Sequence, residues 1–585
     1  MLFNGSIVIE SSPIGFLTDG EKIPSDGWRI ANVIKNRVKS VWTPIWGKRI
    51  KVPNNYSELE ITIASTKFQM VIEARVYNDG AAFRYILPEA SSMGSLQEKT
   101  TYHFAGDYTA WYYNGERHNI GPERLTETGS ERLPVMTIKA ADNIYMALHE
   151  AYLTQGAPLK LTSDRGETEF RVSNGPFISD NIYQSAWRVI MCSNSPGTLI
   201  DSHLIELLNP EPDEEIDFSW VKPGIALWDW RIDGAVWEDY RYRMDYPSWE
   251  RMIDFAAESG FSYLVLDANW YGPEFVKESD PTKGDKANDV KKIIQYGKDK
   301  GVGVWLYLND VAGSQYPIAE TLAQYEDWGA AGVKYGFMNG SDEQKNQKTI
   351  QITELCAKHK LLVNFHDYPV HPWGQARTWP NAITREYCKA QLDGRDVFYP
   401  KTFVTSVFVN MLAGPIDMNN GMFDLRQGRT TRVDNSQEVP STLAAESART
   451  LITYSGATII PDIPEYYKKY PALLRFLSAQ QMPWLESQTL DGAIGEFIVM
   501  MRQASTGEYL VGAATNEQAR KLTVSLDFLT QGRYRVEIVE DGENADYRSN
   551  REVIRERVIE KATRRSFITL NLAPGGGACV RIVKL

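Results

Sequence analysis

Cysteine, histidine and blocks of like charge are scarce in these 585 residues, and each scarcity removes an explanation. The four cysteines, Cys192, Cys356, Cys388 and Cys579, lie far apart with no C-x-x-C pair. That excludes a zinc knuckle and a dense disulfide framework and leaves buried free thiols. No two of the seven histidines sit four apart on a helical pattern, so His366 and His371 read as hydrogen-bonding side chains rather than a metal pair. The balance of 63 basic and 75 acidic residues gives −12 without basic blocks, which argues against coating nucleic acid. No stretch approaches the ~18 apolar residues of a membrane span. Met1–Gly5 lacks the basic region and apolar run of a secretory leader, so the expectation is a cytoplasmic chain or an exported one whose leader has been removed. What the sequence has in quantity is aromatic residues, 16 Trp and 30 Tyr. Such rings serve sugar faces as well as cores. With 43% hydrophobic and 24% charged residues the chain is globular, and about 150 residues per domain allows roughly four domains, fewer if one is a barrel.

Three regions follow from the periodicity. Residues 1–221 read as a β-sandwich. Phe68, Met70, Ile72, Ala74 and Val76 alternate with polar neighbours, and Asn78-Asp79-Gly80 turns the chain into the next strand. Residues 222–485 alternate short apolar strands with helical periods, starting near Lys222-Pro223-Gly224. Trp249, Met252, Ile253 and Ala256 mark one helical face and Gly260 its C-cap. Strands follow at Tyr263–Leu266, Val302–Leu308, Val333–Phe337 and Leu361–Phe365, with further candidates near Ile383, Val407–Leu412 and Leu451–Ile460. Eight strands in this rhythm predict a (β/α)₈ TIM barrel. No G-x-G-x-x-G turn supports an open doubly wound sheet. Residues 486–585 return to alternation and predict an antiparallel C-terminal β-domain. The fold class is thus multidomain α/β plus β.

Barrel chemistry sits at the C-terminal ends of the strands. Those ends carry Trp228-Asp229-Trp230, Asp267-Ala268-Asn269-Trp270, Asn309-Asp310, Gly336, His366-Asp367, Glu386 and Asp417. Carboxylates gathered at one mouth are costly unless they bind a metal, share protons or do acid–base work. Carboxylates beside Trp228, Trp230 and Trp270 are the furniture of a site that forms an oxocarbenium-like sugar cation.

Several stretches together resemble glycoside hydrolase family 97. They are Trp187–Met191, Trp220–Gly224, Leu266–Tyr271, Gly332-Val333-Lys334, Leu362–His366, Arg377–Asn381, Leu412–Asp417 and Asp462–Glu465. The resemblance covers nearly all of the chain. It implies a β-sandwich, a (β/α)₈ barrel and a C-terminal β-domain, and an exo-acting α-glucosidase or α-galactosidase that releases a terminal sugar from an oligosaccharide or α-glycoside. A calcium ion in the active site is also implied; if a leader has been removed, a periplasmic or secreted location is expected. Retaining members carry an Asp nucleophile two residues after the Lys of the fourth strand; that position here is Gly336. Inverting members place base carboxylates after the third and fifth strands, where this chain has Asp310 and Asp367, so an inverting mechanism with these bases activating water is expected. Glu150 in the sandwich and Glu386 match calcium-ligand segments. Trp228, Trp230, Asp267, Trp270, Lys334, His366, Arg377 and Asp417 fall on substrate-binding stretches. The family's general acid lies six residues after Glu386, where this chain has Leu392; Asp393, next along, is the candidate replacement. A second reading stays open, that the chain is a carbohydrate-binding homologue impaired in catalysis. Nothing in the sequence fixes an oligomeric state.

Overall fold

The computed structural model describes residues 1–116, 119–129, 131–392, 398–426, 431–432 and 438–585. The N-terminal region is built on a ten-stranded antiparallel sheet flanked by two three-stranded sheets. The predicted hairpin joins strands Gln69–Tyr77 and Gly80–Leu87. Gly80 has no alternative there, because a Cβ would stand 2.5 Å from the Ile190 carbonyl oxygen. The C-terminal region is a six-stranded antiparallel sheet faced by a two-stranded one, with its own core around Val511, Val536 and Ile568.

Between them lies the barrel. Its strands are β1 (Gly224–Trp228), β2 (Tyr263–Leu266), β3 (Gly303–Asn309), β4 (Gly332–Gly336), β5 (Leu362–Phe365), β6 (Ala382–Arg385) and β7 (Ala457–Ile460). All pair in parallel, in the order β6-β5-β4-β3-β2-β1-β7. Four helices show how the sequence punctuates the crossovers: α1 (Tyr246–Ser259), α2 (Ala287–Lys300), α3 (Ile318–Trp328) and α4 (Asp342–Lys358). α1 to α3 end on glycines in the left-handed conformation, Gly260, Gly301 and Gly329. α4 starts with a capping box between Ser341 and Gln344.

The seventh of the eight expected strands, Val407–Leu412, is not one. A helix, Pro400–Ser406, runs into that stretch and a 3₁₀ turn, Asn410–Leu412, ends it. A fully buried apolar run has no exposed face from which to read its period, so strand and helix look alike in sequence. The gap between β6 and β7 is bridged by irregular chain: Asp417 N–H donates to Arg385 O at 2.8 Å and Ile416 N–H to Tyr454 O at 2.8 Å. Leu451 and Ile452, expected in the last strand, end a helix at Leu443–Ile452, and the strand begins at Ala457. All four cysteines are buried free thiols. No helix among the described residues is long and apolar enough to cross a membrane.

Candidate active site

Strand alternation decides which side chains enter the barrel mouth. On β4, Lys334 points inward and Tyr335 outward. Lys334 is buried, donates to Asp267 at 2.6 Å and lies 4.3 Å above the Trp228 ring. Trp228 donates its indole N–H to the same Asp267 oxygen. Burial alone would drive a proton off Lys334, but Asp267 first and Asp367 next raise its pKa well above the usual lysine value. Beneath this pair, the buried Asp229 accepts from the Asp267 backbone N–H and the Trp249 indole, both at 2.8 Å. Asp267 is therefore held from below while its carboxylate faces the mouth.

Across the mouth, β5 supplies Asn364 and His366 inward. His366 Nε2 lies 2.7 Å from Asp417 and Nδ1 3.1 Å from Glu386. Burial opposes a charge on this ring, but Glu386 above all, with Asp417, pushes its pKa up to about 10, which favours the protonated ring. Asn364 and Asn419 donate to Asp417 at 2.9 and 2.8 Å. Lys334, His366 and their carboxylate partners thus lie close enough to influence one another at the strand ends.

Asp367 would point outward if the strand continued. Instead Asp367 and Tyr368 both adopt left-handed backbone, φ 57° and 61°, a conformation that costs of order 1–3 kcal/mol and clusters at functional sites. The turn is held because the Asp367 N–H donates to Glu386 at 2.9 Å and the Tyr368 N–H to Glu116, from the sandwich, at 2.8 Å. It swings the Asp367 carboxylate back over β4. A Cβ built on Gly336 would overlap Asp367 Oδ2 outright and stand 2.6 Å from the Tyr307 hydroxyl. The Asp367 carboxylate therefore fills the space where a side chain at position 336 would begin.

The Tyr307 hydroxyl, on β3, donates to Glu274 at 2.8 Å and also lies 3.3 Å from Asp367 Oδ2. Glu274 sits in the loop after β2. That loop is pinned by Asn269, whose side chain accepts the Glu274 N–H at 3.0 Å, and by Asn309, which donates to the Glu274 carbonyl at 3.3 Å. The next residue, Phe275, is 65% exposed and meets Phe337 edge-on with ring centres 5.1 Å apart. On the sandwich side a cleft of about 330 Å³, lined by Tyr113, Lys160, Lys345, Tyr368, His371 and Tyr387, opens beside Tyr368.

Several expected site residues lie elsewhere. Asp310 is one residue out of phase with Tyr307 and Asn309. Its carboxylate is buried behind the barrel wall, bonded to the Tyr335 hydroxyl, the Lys348 ammonium and the Asn339 N–H. The expected inverting pair of Asp310 and Asp367 is therefore corrected: the two do not face one water. Trp270 is fully buried among Tyr271, Tyr325 and Trp328, and its indole donates to the Tyr307 carbonyl; it is core, not a sugar platform. Arg377 lies in the seam with the sandwich, donating to Leu207 O and Glu211 and covering the Trp42 ring. Trp230 is half-buried in the turn after β1. Leu392 is buried and belongs to the main hydrophobic core, and Asp393 lies outside the described residues.

Glu150 is not among the grouped ligand atoms, which come from His366, Asp367 and Glu386. Both its oxygens are taken, by Arg188, by His371 at 2.7 Å and by the Leu159 N–H at 2.6 Å. Burial would raise its pKa, but the His371 hydrogen bond and Arg188 hold it down to about 2. His366, Asp367 and Glu386 offer ligand atoms within 4.8 Å of one another and could hold a metal ion. Calcium takes about six to eight oxygens, whereas this set supplies oxygen from two side chains plus a ring nitrogen. Among the described residues the donor set does not fit calcium.

Glu274, Tyr307, Phe275 and Tyr368 were not among the expected site residues. Only Glu274 left a usable sign, an acid in the loop that follows a barrel strand.

Family models described as Glycosyl-hydrolase 97 N-terminal, Glycoside hydrolase 97 and Glycosyl-hydrolase 97 C-terminal, oligomerisation, match residues 1–211, 228–388 and 483–583. A "Retaining alpha-galactosidase" of Bacteroides thetaiotaomicron is 24% identical over 630 residues, covering 99% of this chain and 93% of its own. A "Probable retaining alpha-galactosidase" of Streptomyces bingchenggensis is 27% identical over 570 residues, covering 94% and 84%. A family 97 enzyme from Pseudoalteromonas sp. strain K8, solved in complex with acarbose, superposes with a TM-score of 0.88 at 27% identity, covering 99% of this chain and 95% of that one. A β-arabinopyranosidase at 17% identity and TM-score 0.82 shares the fold.

Proposed function

The chain belongs to glycoside hydrolase family 97, and from that membership and the mouth just described we propose that it hydrolyses terminal α-glycosidic bonds, those of α-galactosides first, with net retention at the anomeric carbon. The observation that carries this reading is the Asp367 carboxylate over Gly336. It occupies the space of the side chain that, by the family resemblance, serves as nucleophile in retaining members. Asp267 with Lys334, and Asp417 with His366, bind hydroxyls of the terminal sugar, since each pair offers both an acceptor and a donor at the mouth. Asp367 then stabilises, and bonds to, the carbon that becomes cationic as the glycosidic bond lengthens. The preference for galactosides rests on the names of the two relatives.

A second reading, carbohydrate binding without hydrolysis, is favoured by one observation: Leu392, where the family resemblance places the general acid, is buried in the core. Initial rates with 4-nitrophenyl α-galactoside and α-glucoside separate the two. Turnover of the galactoside above the glucoside is expected. No turnover of either, with galactose still bound, would leave only the second reading.

A further inference from the structure

We propose that Glu274, in the loop after β2, is the proton donor and acceptor of this enzyme, standing in for the acid that the sixth-strand loop lacks at Leu392. The inference rests on the hydrolase reading above.

Four observations carry it. Leu392 has no proton to give and no exposure to a substrate. Glu274 is half-buried on the rim of the same mouth, held by a loop whose backbone Asn269 and Asn309 fix at both its N–H and its carbonyl. Its carboxylate shares the Tyr307 hydroxyl with Asp367, at 2.8 and 3.3 Å, so the two carboxylate oxygens are no more than about 6 Å apart. That bound lies below the ~6.5–9.5 Å that admits a water between two carboxyls and is compatible with the ~5–5.5 Å of a nucleophile and its acid/base partner. Finally, the exposed Phe275 and its edge partner Phe337 stand beside Glu274, a platform for the leaving group on the side where a proton must arrive.

The chemistry balances with these groups and water. In the first half, an Asp367 oxygen bonds to C1 while the bond from C1 to the leaving oxygen breaks. The electron pair goes to that oxygen, and the carboxyl proton of Glu274 moves to it. In the second half, Glu274 takes a proton from water, the water oxygen bonds to C1, and the ester to Asp367 breaks with its electrons returning to the carboxylate. Tyr307 is a positioning residue, orienting both carboxylates through one hydroxyl.

The test uses Glu274→Ala and Glu274→Gln in the full chain, with melting curves to verify folding. Two substrates are compared, melibiose, whose sugar leaving group needs a proton, and 2,4-dinitrophenyl α-galactoside, whose leaving group does not. The expected result is a loss of about 10²–10⁴-fold on melibiose and a far smaller loss in the first step on the dinitrophenyl substrate. Sodium azide should restore Glu274→Ala turnover of the activated substrate and yield α-galactosyl azide. Melibiose hydrolysis within a fewfold of wild type would overturn the assignment, as would equal losses on both substrates without azide rescue. In either case wild-type turnover still stands as evidence for the hydrolase reading, whereas a wild type inert to both substrates would refute that reading itself.

Discussion

Replacing Gly336 by alanine adds one methyl group and tests the placement of Asp367 directly. The backbone tolerates the change, because Gly336 is not among the glycines in the left-handed region. The side-chain space does not. The new carbon would overlap Asp367 Oδ2 and lie 2.6 Å from the Tyr307 hydroxyl, so the carboxylate must retreat by about 1 Å. A misplacement of that order at a reacting group costs about 10²-fold, or roughly 2.7 kcal/mol of transition-state stabilisation. Asp267 and Lys334 lie outside the clash, so the loss falls on kcat while KM for the galactoside stays within a fewfold. Overpacking costs about 1–3 kcal/mol of stability, partly offset by the ~0.5–1 kcal/mol that alanine gains over glycine in a strand, and the fold survives. Steady-state kinetics on 4-nitrophenyl α-galactoside, with a melting curve to verify the fold, reads both numbers. A folded Gly336→Ala enzyme with kcat/KM within about threefold of wild type would refute the placement of Asp367 at the anomeric carbon.

Other expectations follow from the same geometry. Asp310→Asn should leave kcat/KM within about threefold while lowering stability, by about 1–3 kcal/mol in a denaturant titration, because it disturbs a buried acceptor rather than a reacting group. Lys334→Met should cut kcat/KM at least about 100-fold and also destabilise, since it leaves Asp267 buried without its cation. His149 is fully buried in the seam, its Nε2 2.8 Å from the Pro372 carbonyl; burial, helped by His371, lowers its pKa to about 3. Its folded pKa is depressed below the unfolded one, so it is neutral in the folded protein and the stability it contributes is lost as pH falls from about 6.5 towards 3. The loss is of order several kcal/mol, and melting temperatures of His149→Gln should fall less steeply across that window. A calcium chelator should leave the rate unchanged, because the described donor set does not fit the ion; loss of activity restored by added calcium would contradict this.

Much of the architecture was legible because strand–helix alternation and glycine C-caps are local signals. The exception at Val407–Leu412 shows the limit, since a run buried on all sides carries no period. The site divides along the same line. Asp267, Lys334, His366 and Asp417 fall in the inward phase of regular strands or beside one, so reading strand ends finds them. Asp310 and Trp270 stand equally close to strand ends, but alternation turns them away from the mouth. Asp367 breaks that rule through a left-handed turn that only the folded context supports. Glu274 comes from a loop, and its nearness to Asp367 is set by Tyr307 from a different strand, a contact that no spacing in the sequence encodes.

An aspartate at the end of the fifth strand bonds to the anomeric carbon on the face opposite the leaving group, and water then displaces it from the face that group left. Proton NMR of the first sugar released from an aryl α-galactoside, recorded before mutarotation, tests it most directly. The α-anomer is expected first. The β-anomer first would contradict it.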